Sequence, residues 1–237
     1  GIDHIPVHHT NEIAQSEAAS GKQFANYWTH NNHLKVNGTK ISKSLENGYT
    51  LDQLQEEGYD PLDLRLFILQ SHYRTESNFT FENLTAARNR RLNWLNVAAL
   101  RHQTHDTLET DSVAETDSKT VSLYATQQAL VEALSNDIDT PAALALIDEA
   151  FDTVVAHPLD DLHEHAFVSL LATIDQLLGL KLLDLSPDIN DDQKRLIIER
   201  VRAREQKDFS RSDELRDELL KTGILVRDTS KGPIWEY

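Results

Sequence analysis

Leu34-Lys35-Val36-Asn37-Gly38-Thr39-Lys40-Ile41-Ser42-Lys43-Ser44-Leu45-Glu46-Asn47-Gly48 is the stretch from which the rest of the chain can be read. Asn-Gly between two short β-prone runs is a strong hairpin signal, because both central residues of a type I′ turn need positive φ. The strand returning from that turn leads directly into Lys40-Ile41-Ser42-Lys43-Ser44, a basic, hydroxyl-rich loop. Two lysines on one loop can neutralise triphosphate oxygens and stabilise charge on a pyrophosphate leaving group. Ser42 and Ser44 can donate hydrogen bonds to the same oxygens. On its own, such a loop is equally well a solvated surface, so its surroundings decide.

Upstream, Asn11–Ser20 is rich in helix formers and Gly21 is a fitting stop. His8 and Glu12 are four apart and share a face if that helix starts early. Downstream the pattern turns helical. Thr50 with Gln53 forms a capping box for a short helix ended by Gly58, and Asp60-Pro61 supplies cap and first turn of another, with Leu62, Leu66 and Leu69 on one stripe. Thr80–His102 reads as a long helix whose turns are marked by Leu84, Arg88, Arg91 and Leu95. Residues 103–119 read as an acidic linker. Asp139-Thr140-Pro141 opens a helix with Ala142, Leu146 and Ala150 on its face, and 158–185 is Leu-rich and helical up to Ser186-Pro187-Asp188. The last fifty residues predict two helices, over about 189–206 and 210–222, then Gly223 and a hairpin. No internal repeat is present.

The 237 residues carry a net charge of −16, but the acid is not spread evenly. Residues 1–34 sum to −2, 35–101 to +1, 102–192 to −17 and 193–237 to +2. A polyanionic partner therefore stays open for the near-neutral segments on either side of the acidic middle, where Arg can meet phosphate locally. With no cysteine, disulfides, thiol nucleophiles and thiolate metal sites within the chain are excluded. No apolar run approaches the roughly 18 residues a membrane helix needs, and nothing reads as a secretory signal. The chain also lacks methionine and opens at Gly1 in mid-motif, so it reads as part of a longer protein.

Several motifs in one order resemble class I aminoacyl-tRNA synthetases, and among them the cysteinyl family. Lys40–Ser44 is similar to the class I Lys-Met-Ser-Lys-Ser loop. Gly1-Ile2-Asp3 and His8-His9-Thr10-Asn11-Glu12-Ile13-Ala14-Gln15-Ser16-Glu17 are similar to that family's Gly-x-Asp and zinc-helix elements, apart from Pro6-Val7 where the family has Phe-Pro. Tyr27–Leu34, Asp60–Arg65, Asn78-Phe79-Thr80, Asp137–Ala142, Lys207–Asp213 and Gly232–Trp235 continue the resemblance nearly end to end. His4-Ile5-Pro6-Val7-His8 looks like the nucleotide-binding His-Ile-Gly-His motif but stands in the wrong place. That motif and the family's two zinc-ligand cysteines are absent.

The resemblance implies a mainly α chain. It would comprise the end of a Rossmann-type catalytic domain with its signature loop (1–48), a stem-contact helical region (49–104), a helical bundle (105–188) and a small α+β anticodon module (189–237). It implies ATP-dependent activation of L-cysteine to the adenylate and transfer to cysteine tRNA, in a cytoplasmic, monomeric enzyme with no membrane role. Lys40 and Lys43 would be catalytic, and Asp3, Lys40, Ser42, Lys43 and Ser44 would bind ATP, which enters with Mg2+. His8 and Glu12 would be two of four Zn2+ ligands. Arg88, Arg91, Arg204, Phe209 and Asp213 would contact tRNA. Two rivals are a non-catalytic tRNA-binding helical module and a mycothiol-type cysteine ligase; the latter lacks the motifs seen in 193–237. In the bland reading of that last module, Phe209 is core and Arg204 pairs with a nearby acid.

Overall fold

The computed structural model describes residues 1–42, 44–103, 118–156, 164–229 and 232–237. Lys43 and most of the acidic linker expected over 103–119 lie outside the described residues. Among the described residues the architecture is mainly helical, with two small sheets.

A 3-10 turn (Ile2–His4) and a π-helical turn (Ile5–His9) run into α1 (Thr10–Ser20), which stops at Gly21 with φ 65°. His8 therefore stands in the π turn and Glu12 in α1. β1 (Leu34–Val36) and β2 (Thr39–Lys40) pair antiparallel, and Asn37 and Gly38 between them have φ 50° and 75°, as a type I′ turn requires. The sequence pattern gave no sign of the third strand, β3 (Ser77–Phe79), which pairs parallel to β1 in the order β2-β1-β3. It also grips the turn: the Asn78 side chain accepts from the Gly38 amide at 2.7 Å, and the Phe79 carbonyl from the Asn37 amide at 3.0 Å.

Between β2 and β3, α2 (Leu51–Glu56) and α3 (Pro61–Leu69) start at the expected capping boxes of Thr50 and Asp60. α3 buries Asp63, Leu66 and Phe67, and Phe79 meets Phe67 edge-on at 5.6 Å. α4 (Phe81–Ala99) continues into a 3-10 turn, Leu100–His102. Its buried stripe is Leu84, Ala87, Arg91, Trp94, Leu95 and Ala98, so Arg91 lies on the apolar face.

α5 (Ser118–Ser135), α6 (Thr140–Ala156) and α7 (Glu164–Leu178) follow. α6 buries Ala143, Leu144, Ile147, Ala150, Phe151 and Val154, a face rotated from the expected Ala142–Leu146–Ala150 row. Asp137 and Ile138, between α5 and α6, both have positive φ, 59° and 57°. For a β-branched residue this is an outlier. It is held by a knot on Asp137: Tyr73 Oη donates to Oδ1 at 2.6 Å, Arg74 Nη2 to the same oxygen at 3.0 Å, and His72 Nε2 to the Asp137 carbonyl at 3.1 Å.

Two compact units result, Gly1–Asn89 with Ala133–Leu144, and Arg90–Glu132 with Ala145–Tyr237. These divisions differ from the four segments expected at 48, 104 and 188, because the Asp137 knot draws 133–144 into the first unit. In the second unit Trp94 donates to Asp148 at 2.8 Å and packs on Phe151 at 5.7 Å. α8 (Asp191–Glu205), α9 (Phe209–Lys221), β4 (Leu225–Thr229) and β5 (Gly232–Glu236) close over Ile189, Leu219, Ile224, Val226 and Trp235.

Arg101 is buried in this unit. It donates to the Ala98, Leu183 and Ser186 carbonyls and to Ser186 Oγ, at 2.5–2.8 Å. Arg101→Leu keeps much of the volume but orphans these acceptors, so it is expected to lower unfolding free energy by on the order of 3 kcal/mol in urea titration. Arg195→Leu, whose guanidinium pairs with Asp192 on the surface, should change it by less than about 0.5 kcal/mol.

Candidate functional site

The basic loop is closed by Asn47. Its Oδ1 accepts from the Ser42 amide at 3.0 Å and its Nδ2 donates to the Lys40 carbonyl at 3.2 Å. The Ser42 and Ser44 hydroxyls lie 3.2 Å apart, and Ser42 Oγ accepts from the Leu45 amide at 3.3 Å. Lys40 ends β2 and is exposed. One side chain, Asn47, thus fixes the loop's start and return while leaving Lys40 and Ser44 exposed beside a half-buried Ser42, a geometry that can receive an anion. Lys43 lies outside the described residues.

In the same unit, the residues flanking α1 bring imidazoles together. His9 Nδ1 and His30 Nε2 are 2.7 Å apart, and the His9 ring lies 5.0 Å from Trp28 and 5.5 Å from His4. Desolvation first, and then the neighbouring imidazoles His30 and His4, lower the His9 pKa, so it favours the neutral ring. Asp3 lies 3.5 Å from His4 and 3.6 Å from His33. Burial pushes its carboxyl up, but its own backbone amide and the His4 and His33 imidazoles outweigh this and hold the pKa below its ordinary value. A structural zinc ion needs four donors in a tetrahedron. The chain has no cysteine, and among the described residues no group of three or more His, Asp or Glu is arranged to hold an ion. His8 and Glu12 alone do not fit zinc.

The arginines expected at tRNA have separate surroundings. The Arg88 guanidinium lies 5.6 Å over the Tyr59 ring, whose hydroxyl bonds to Thr85. Arg90 makes an ion pair with Asp148 at 2.5 Å and lies 5.1 Å over Trp94. Arg91 is only 6% exposed. It stands on the buried stripe of α4, unlike half-buried Arg88 and Arg90.

In the last module Arg200 is buried and grips Asp228 with two bonds, at 2.8 and 2.9 Å. Arg204 joins the same carboxylate at 3.0 Å, and Asp213 pairs with Arg216 at 3.3 Å. The Arg200 hydrogen bonds first, and then the charges of Arg200, Arg204 and Arg216, lower the Asp228 pKa against an opposing burial effect. Phe209, in the first turn of α9, is 60% exposed rather than core. Its neighbours in Lys207–Asp213 serve the turn: Lys207 has φ 59°, Asp208 accepts from the Arg211 amide at 3.0 Å, and Ser212 is buried. Sequence reasoning missed Asp228, because nothing in a pattern links it to Arg200, 28 residues away.

Residues 1–89 match the family model for the tRNA synthetases class I (C) catalytic domain, and residues 186–235 that for the cysteinyl-tRNA ligase anticodon binding domain. At both ends the chain is similar to cysteinyl-tRNA synthetases. It is 38% identical to the cysteine–tRNA ligase of Chlamydia pneumoniae, over 98% of this chain and 49% of that protein. With the Lachnospira eligens ligase it shares 35%, over 99% of this chain and 50% of that protein. The chain thus spans about half the length of the curated relatives it matches. Among solved structures, LeuRS of Agrobacterium radiobacter K84, in a ternary complex with tRNA and LeuAMS, is alike in fold. The TM-score is 0.57 at 19% identity, over 81% of this chain and 29% of that one.

The Asp228 carboxylate tests the geometry of the family's second matched region. Its folded pKa lies below the unfolded value, so the stability it contributes is present above that ordinary value, 3.8, and is lost as pH falls through the folded one. Asp228→Asn should therefore unfold more easily than the parent at pH 7, and the gap should narrow steadily below about pH 4. Thermal melts at both pH values check this.

Proposed function

We propose that this chain works as part of a cysteine–tRNA ligase that activates L-cysteine with Mg2+-ATP and transfers it to cysteine tRNA. The reading rests on one observation above others: a loop closed by Asn47 that presents Lys40, Ser42 and Ser44, inside the region matched by a class I catalytic model. In this reading Lys40 and Lys43 neutralise the triphosphate, Ser42 and Ser44 donate to its oxygens, and Asp3 accepts from a ribose hydroxyl. The cysteine carboxylate attacks the α-phosphorus in line, its C–O–P bond forms as the α–β bridge P–O bond breaks, and the pyrophosphate leaves with the bonding pair. Charge on that leaving group grows only toward the transition state, so the lysines act on the rate more than on ground-state binding. No side-chain nucleophile is needed.

For tRNA, Arg88 is the phosphate-contact candidate in the first unit, while Phe209, Arg204 and Asp213 are candidates for reading unstacked anticodon bases. Phe offers a stacking face, and Arg and Asp can bond base edges. The setting is a cytoplasmic monomer. Among the described residues, no helix is long and apolar enough to cross a membrane.

Two outcomes test this. In a ligase containing this chain, Lys40→Ala should slow adenylate formation by about 10²–10³ while leaving cysteine affinity within a small factor, as measured by pyrophosphate exchange and equilibrium binding. A matching loss of cysteine affinity with the chemical step intact would make the loop structural. In tRNA binding, Phe209→Ala should cost about 1–3 kcal/mol for all anticodon variants alike, since stacking is sequence-tolerant, whereas Arg204→Ala and Asp213→Ala should also relax preference among those variants. Arg88→Ala should weaken all tRNAs alike and flatten the salt slope by about one charge.

A further inference from the structure

Two lysines face each other across the hairpin that carries the basic loop. The register sets Lys35 of β1 opposite Lys40 of β2 on one side and opposite Asn78 of β3 on the other. Cross-strand partners share a sheet face, and so do residues two apart along a strand. Lys40, Lys35, Asn78 and Glu76, which stands just before β3, therefore belong to one face. Val36 and Phe79, which follow Lys35 and Asn78, are 4% and 3% exposed and form the opposite, core side. The lysine row thus lies on the solvent side. Like charges directly opposite each other weaken a sheet. Here a carboxylate relieves part of the repulsion: Lys35 Nζ lies 2.7 Å from Glu76 Oε1. The backbone on either side of Glu76 is fixed, the Thr75 amide donating to the His72 carbonyl at 2.8 Å and the Ser77 amide to the His33 carbonyl at 3.1 Å. One carboxylate still stands against two ammonium groups. The pair is also exposed, at 36% for Lys35 and 49% for Glu76, and an ion pair in that setting is weak enough to exchange.

We propose that Lys35 is a further phosphate-binding residue, that it and Lys40 together grip the pyrophosphate portion of a nucleoside triphosphate, and that Glu76 holds its place until that anion arrives. The proposal rests on reading the basic loop as a triphosphate site and adds to it a residue outside the loop. A pyrophosphate group brings several negative charges to a row where Glu76 brings one. It therefore displaces the carboxylate and cancels the repulsion that Glu76 leaves. When pyrophosphate departs, Glu76 returns to Lys35 and opposes its rebinding. A lysine upstream of a basic loop reads as ordinary surface until the register sets it opposite Lys40.

Isothermal titration of the chain with inorganic pyrophosphate tests this, at low salt because screening weakens exposed contacts. Lys35→Ala should weaken binding about fivefold and Lys40→Ala at least as much, while Lys35→Arg stays within about twofold of the parent. Glu76→Gln should tighten binding about threefold, because the competing carboxylate is gone. In the Lys35→Ala background that same substitution should change nothing. A residue that merely braced the sheet would not tighten binding when replaced. Glu57→Gln, which removes an acid just past α2, should leave affinity as it is. Circular dichroism of each variant should match the parent. If Lys40→Ala weakens binding and Lys35→Ala does not, the proposal falls and the reading of the loop stands. If the parent binds no pyrophosphate, or Lys40→Ala changes nothing, both fall together. Equal tightening by Glu76→Gln with and without Lys35 would reduce the effect to general charge and overturn the exchange. A Lys35→Ala loss seen with cysteine tRNA but not with pyrophosphate would overturn it as well, assigning the lysine to an RNA phosphate instead.

Discussion

The parallel pairing of β1 with β3, across more than 40 residues, is the constraint on which the first unit depends. A parallel pair needs a crossover, here supplied by α2 and α3, so the pairing closes a long loop and must be repaid by burial. Phe79, at the end of β3, repays it by packing on Phe67 of the crossover itself and on Tyr49 and Phe81. Because β3 also holds the Asn37–Gly38 turn through Asn78 and its own backbone, the hairpin has one register. The basic loop hangs from the end of that hairpin. Loss of the pairing would free the loop from the helices that follow, even though its internal Asn47 bonds span only five to seven residues.

What was legible in the sequence follows the range of the interactions. The type I′ turn, the capping boxes at Thr50 and Asp60, the stop at Gly21 and the closing hairpin are decided by chemistry within four residues, and each was readable. β3 was not, since Ser-Asn-Phe has no alternation and its partner lies far away. The face of α6 was misplaced because Ala142, Leu146 and Ala150 fit a period of four, whereas packing selects Ala143, Ile147 and Phe151 beside them. In the candidate site the basic loop could be found by composition. The fate of each arginine could not, because a guanidinium reads as surface until its neighbours are known.

Arg91 and Arg200 show why. Arg91 falls on the same stripe as Leu84, Ala87 and Trp94, and Arg200 is enclosed with its two bonds to Asp228. Among the described residues the Arg200 Nε is buried without a hydrogen-bond partner, so moving this side chain would expose a charge to apolar surroundings as well as break two bonds. Arg200 is therefore a fixed post, and Asp228 is fixed with it.

Arg204 is held differently by the same carboxylate. Asp228 already accepts two bonds from Arg200, and Arg204 adds one contact with its side chain half in solvent. An exposed pair of that kind is worth little, typically under about 1 kcal/mol, so exchanging it for an RNA phosphate or base edge costs little. Yet it confines a flexible side chain to one region of the surface before any ligand arrives, which reduces the entropy lost on binding. Under the proposed reading, then, the buried Arg200–Asp228 pair carries the structural load and leaves Arg204 pre-positioned but releasable. An acidic chain can build a local polyanion contact in this way: one carboxylate, pinned by a buried arginine, aims a second arginine outward.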